Sequence, residues 1–112
     1  LSPSAWAVKN DHDNERNPYG AQWQEAYGRL AELYDMAVIG VSSVGPLKGG
    51  PWEGRKCIGC SLAVGPSGEV LARGPYGSSA EELKVVNVPL RGLDAKGTTI
   101  ADQLKERGYE GP

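Results

Sequence analysis

Two thiols three residues apart, Cys57 and Cys60, a hydroxyl beside the second, Ser61, and a single histidine, His12, between Asp11 and Asp13 are the side chains best suited to chemistry. The C-x-x-C spacing belongs to zinc sites and to redox dithiols. A closed zinc site takes four ligands, whereas this chain offers two thiols and a histidine in a remote polar loop. A redox pair opens a helix, where the helix N-terminus lowers the thiol pKa. Cys60 leads instead into an apolar run that reads as a strand. A hydrolytic thiol or hydroxyl needs a base within reach and a sharply turned, exposed backbone. The residues around Cys60 and Ser61 read as flat strand with no elbow, and no spacing brings His12 to them. Cys60 is therefore expected to be a small strand residue, and His12 a solvated loop side chain. Glu81 and Glu82 read as a solvated pair. Of the three tryptophans, Trp23 is expected on a buried helix face. Trp52, in a glycine-rich loop, serves as lid or anchor, and Trp6 stands at the carboxyl end of a strand, where open α/β sheets bind ligands.

These residues must be positioned by a short list of elements. Residues 1–8 read as a strand tail running into a polar loop at 9–18. Asn17 followed by Pro18 suits a helix start, as cap and first helical residue. Tyr19, Trp23, Tyr27, Leu30 and Tyr34 then recur every three or four positions, the spacing of a helix with one buried face. "MAVIGVSSV" (36–44) is a β-branched run expected to be a buried strand. Strand, helix, strand implies a βαβ unit with parallel strands. Strands at 58–64 and 69–73 flank the turn Gly65-Pro66-Ser67-Gly68. "LKVVNVPL" (83–90) is expected to be a further strand. A last helix is expected from Thr98 or Thr99 through Arg107, stopped by Gly108. The expected class is α/β (α+β).

With 112 residues the chain has the length of one domain. Twelve basic and fourteen acidic residues give a net charge of −2 without a basic cluster, which argues against nucleic acid as partner. No apolar run reaches the ~20 residues of a membrane span, and no signal-peptide pattern opens the chain, so the expectation is a cytoplasmic protein without membrane contact. The sequence opens on Leu1, directly in "LSPSAW", as though cut from something longer.

Taken in order, "LSPSAW", a helix containing "QW", "AVIGVSSVG", "GCSLAVGPSGEVLA" and "EELKVVNVPL" resemble the carbon–nitrogen hydrolase (nitrilase) family. The family's G-x-S-x-x-x-x-P-x-G hairpin is matched by Gly59, Ser61, Pro66 and Gly68. The resemblance covers residues 1–90, with 91–112 resembling a C-terminal extension that carries a short helix. It implies part of a four-layer αββα sandwich and an intact enzyme that hydrolyses an amide, N-carbamoyl or nitrile substrate. It also implies no metal or organic cofactor, and a tendency to form homo-oligomers. The family's glutamate base, oxyanion-steadying lysine and cysteine nucleophile precede the P-x-A-W element, so the resemblance implies no catalytic residue in this chain. Cys60 falls in the hairpin motif and does not match the nucleophile. Ser4, Ala5 and Trp6 match the loop bordering the substrate pocket, and Ser42 and Ser43 match a strand end near it. Two alternatives stand beside this reading: a non-catalytic α/β interaction module, and a thiol or zinc module built on Cys57 and Cys60.

Overall fold

A computed structural model describes residues 1–90 and 99–109. In chain order the elements are β1 (Ser2–Ser4), β2 (Ala7–Lys9), α1 (Ala21–Tyr34), β3 (Val38–Ser42), β4 (Val44–Pro46), β5 (Arg55–Ile58), β6 (Leu62–Val64), β7 (Val70–Arg73) and α2 (Thr99–Glu106). The architecture is mixed α+β. One sheet has the order β1-β3-β6-β7 and the other β2-β5-β4. β1 and β3 pair in parallel across α1, as a strand–helix–strand unit requires, and every other ladder is antiparallel.

Both sheets are cut from the same runs of extended chain. β1 passes into β2 at Ala5-Trp6, β3 into β4 at Ser43, and β5 into β6 at Gly59–Ser61. The three breaks are hydrogen-bonded to one another. The Ser43 N–H donates to the Ser4 carbonyl (2.9 Å), the Ile58 N–H to the Trp6 carbonyl (3.1 Å) and the Gly59 N–H to the Ser43 carbonyl (3.2 Å). The breaks therefore form a hydrogen-bonded seam where the chain switches sheets.

The core lies between α1 and the four-stranded sheet: Trp6, Tyr27, Ala31, Val38, Leu62 and Val64, with Tyr19, Trp23, Cys60 and Val70 packed against it. The helix face differs from the expected one. Leu30 and Tyr34 are exposed, and the buried line runs through Tyr27 and Ala31. A strict four-residue step keeps Trp23, Tyr27 and Ala31 on one side, and alanine lets the helix close on the strands. Gly40 does the same from the sheet. Its missing Cβ leaves the space taken by the Tyr27 ring, whose Cζ would lie 2.8 Å from such an atom.

The helix start is also corrected. Asn17 is not the cap; α1 begins at Ala21 behind Gly20, with no side-chain cap hydrogen bond. Residues 13–19 are held in turns by their own side chains, the Asp13 carboxylate accepting from the Glu15 N–H (2.9 Å) and Asn14 Oδ1 from the Tyr19 N–H (2.9 Å). Asp and Asn compete with the helix in this way.

The expected strand at 83–90 is absent. Leu83 and Val85 are 94% and 92% exposed, and residues 81–90 have no ladder partner among the described residues. The strand-like pattern is present, but no described backbone pairs with it. The last helix runs Thr99–Glu106, close to its expected span. No helix among the described residues is long and apolar enough to cross a membrane.

Two glycine-to-alanine changes should separate these packing roles in denaturant unfolding. Gly40→Ala drives a methyl into the buried Tyr27 ring and should cost about 1–3 kcal/mol, as core overpacking does. Gly28→Ala, in mid-helix with only ordinary contacts near its Cβ position, should gain roughly 0.5–1 kcal/mol from helix propensity.

Candidate functional site

Two clefts border the seam. One, of about 500 Å³, is lined by Ser42, Ser43, Cys60, Ser61, Arg73 and the 80–84 stretch, among others. The other, of about 720 Å³, is aromatic: Trp6, Tyr19, Trp23, Tyr27 and Trp52 line it together with Ser4 and Ala5.

The five expected pocket residues are thus divided. Ser4, Ala5 and Trp6 line the aromatic cleft, and Ser42 and Ser43 line the thiol cleft. They are joined through the seam. The Trp6 N–H donates to Ser42 Oγ (3.2 Å), and the Ser42 hydroxyl donates to the Ser43 carbonyl (3.3 Å). Ser42 is buried, so its hydroxyl is a structural clasp that ties β1 to the end of β3.

Cys60 departs from expectation. It does not sit in flat strand. Gly59 and Cys60 take φ of 69° and 57° in succession, the left-handed region that a side chain occupies at a cost. The sheet switch requires the bend, and the following chain holds it: the Cys60 N–H donates to the Pro75 carbonyl (3.0 Å), while Gly59 forms a bridge with Tyr76. A sharp turn carrying a half-buried thiol meets one requirement of a nucleophile. The electrostatics do not meet the other. Burial pushes the Cys60 thiol above its ordinary value, and the Arg73 guanidinium only partly offsets this. Arg73 is itself hydrogen-bonded to the Gln24 side chain. Glu82 and Lys84 line the same cleft, yet they bind each other at 2.6 Å. Cys60 makes no side-chain hydrogen bond to a base among the described residues. Ser61 is likewise occupied, its Oγ accepting from the Ser42 N–H (3.1 Å).

His12 is not a solvated loop residue. Its Nδ1 lies 2.9 Å from the Tyr76 hydroxyl, sixty-four positions away, and its ring meets Tyr19 edge-on with Nε2 buried and unpartnered. The Tyr76 hydroxyl has a raised pKa, from burial first and then from the nearby Cys60 and Asp13. The link pins the 9–18 loop to the end of the β7 extension. Cys57 is buried in β5 and Cys60 half-buried beyond it, both as free thiols. No group of three potential metal ligands gathers among the described residues.

In the aromatic cleft Trp6 and Trp23 stack with centroids 4.7 Å apart and planes 9° from parallel. Tyr27 leans on Trp6 at 5.9 Å, and Trp52 is braced by the Arg55 guanidinium at 4.6 Å from its ring. Trp52 acts as an exposed wall. Tyr19, Tyr76 and Arg73 were not singled out as site residues from sequence. Only the Gly-Pro-Tyr-Gly turn at 74–77 marks Tyr76, through its position in line with the preceding hairpin.

No protein-family model, curated protein or solved structure matches the chain.

The thiol should behave as a protonated, unassisted one. At neutral pH iodoacetamide should alkylate Cys60 more slowly than glutathione, with the rate climbing as pH rises past the ordinary thiol range. Arg73→Gln should slow it further, by removing the charge that favours thiolate. Mass spectrometry of the modified chain reads both effects. Because folding raises this pKa, the associated stability is full below the unfolded thiol's pKa and is lost as pH rises through the folded value.

Proposed function

We propose that residues 1–90 are the C-terminal part of a carbon–nitrogen hydrolase domain. Its Glu-Lys-Cys machinery lies outside this chain, and its substrate is an amide, N-carbamoyl compound or nitrile. In that reaction the thiolate adds to the carbon of the substrate and an ammonium holds the developing charge. The nitrogen leaves as ammonia or an amine, taking its proton from the glutamic acid, and water then cleaves the thioester to release the acid and the thiol.

The observation that carries the proposal is the second face of the four-stranded sheet. α1 covers the face bearing Val38 and Gly40, whereas Ile39 and Val41 on the other face have no helix over them among the described residues, only the irregular 80–84 stretch across the cleft, and Val41 is 59% exposed. A four-layer αββα sandwich places a second sheet on such a face. Residues 81–90 support the same reading, as a strand-like sequence awaiting a partner strand. The unassisted Cys60 is consistent with a nucleophile located elsewhere. Residues 91–112 are then a C-terminal extension, of which Thr99–Glu106 is helical, and the whole protein would be a homo-oligomer.

The experiment compares two proteins in assays with small amides, N-carbamoyl amino acids and nitriles. One is this chain; the other is the chain extended by the residues encoded upstream of Leu1. The chain alone should show no turnover, and the extended protein should hydrolyse at least one class. Turnover by the isolated chain that disappears on alkylating Cys60 overturns the assignment of roles.

The bare sheet face also suits a second reading, a non-catalytic interaction module that uses the scaffold only for association. Upstream codons lacking Glu, Lys and Cys in family-like settings favour the module. In either case the isolated chain should associate through its exposed apolar surface. A monodisperse monomer in light scattering, with a cooperative melt, counts against both.

A further inference from the structure

The geometry points to the aromatic cleft as the seat of an uncharged, planar substrate, an aryl amide or aryl nitrile. For the reacting group this inference rests on the hydrolase reading; for the ring it rests on the cleft alone. Five aromatic side chains converge there: Trp6, Tyr19, Trp23, Tyr27 and Trp52. Aromatic rings favour offset-stacked or edge-to-face partners, so a wall built of them selects a flat guest. The stacked pair Trp6–Trp23 forms a fixed floor, Trp6 buried beneath and the half-buried Trp23 presenting its ring to the cleft. Trp52 stands apart from it, more than half exposed, with Arg55 braced on its ring. At about 720 Å³ the space suits a small organic molecule.

Charge decides the rest. Among the described residues, no lysine, arginine, histidine, aspartate or glutamate lines this cleft. A carboxylate or ammonium entering it would shed water without a counter-ion among the lining residues, Arg55 being engaged on the Trp52 ring, and that is costly. The polar groups are neutral. Ser4 Oγ holds three long contacts, 3.3 Å to the Ser2 carbonyl, 3.4 Å to the Tyr27 hydroxyl and 3.5 Å to Ser2 Oγ. Its hydroxyl is placed to exchange one of them for a carboxamide or nitrile. N-carbamoyl amino acids, which carry a carboxylate, fit this cleft poorly.

Fluorescence titration of the full chain tests the inference without any need for turnover. Benzamide and benzonitrile should quench tryptophan emission saturably. Benzoate and benzylammonium should bind at least ~10-fold more weakly, the loss expected when a buried charge has no partner. Trp52→Ala should weaken benzamide about five-fold, the worth of one aromatic contact, with the melting curve unchanged. Ser4→Ala should weaken benzamide while sparing indole, which has no carbonyl. Benzoate binding as tightly as benzamide overturns the inference, and so does a Trp52→Ala chain that binds benzamide as the parent does. The two readings fail separately. Aryl binding intact beside an upstream-extended protein that hydrolyses nothing removes the hydrolase reading and leaves the ring site. Hydrolysis of acetamide without saturable benzamide binding does the reverse.

Discussion

Trp6 is the residue through which this structure is tied together. Its ring stacks on Trp23 and touches Tyr27, which fixes α1 against the strands. Its N–H reaches the Ser42 hydroxyl at the end of β3, and its carbonyl accepts from Ile58 at the end of β5. One buried side chain and the two peptide groups that flank it thus connect the helix, the four-stranded sheet and the three-stranded sheet. An aromatic residue suits this role because its large apolar area anchors the core, while its backbone remains free to complete the corner.

The seam explains why two clefts, and not one, border the expected pocket residues. A strand that changes sheets presents successive residues to different surroundings. Ser4, Ala5 and Trp6 come to line the aromatic hollow, while Ser42 and Ser43, hydrogen-bonded to them, line the thiol hollow. The same corner imposes left-handed backbone on Gly59 and Cys60. The bend at Cys60 therefore has a structural cause in the change of sheet, and its protonated thiol has an electrostatic one in burial.

Much of the architecture could be read from local pattern. The helix, the β-branched run at 38–42, the Gly-Pro-Ser-Gly hairpin and the terminal helix each carry a strong short-range signal. Three features could not be read because their causes are long-range. The breaks at Ala5-Trp6, Ser43 and Gly59–Ser61 lie inside apolar runs that look continuous, and only their mutual hydrogen bonds reveal them. The position of His12 depends on Tyr76, far along the sequence, so a polar neighbourhood misrepresented it. The 83–90 stretch shows the opposite failure. Its alternating apolar residues state a preference for pairing that no described neighbour satisfies. In the candidate site, Trp6 was legible from its place at a strand end, whereas the electrostatics of Cys60 required the packing around it.

The His12–Tyr76 bond bears on how the polar loop tolerates damage. Residues before the loop are held by β1 and β2 pairing with β3 and β5, and those after it by α1 resting on the sheet. A protease that clips the backbone between Asp13 and Pro18 would leave His12 still fastened to Tyr76 on one side of the nick and the helix docked on the other. The two pieces should stay together as a complemented pair, which makes this loop a natural joint for dividing the chain or splicing in a reporter.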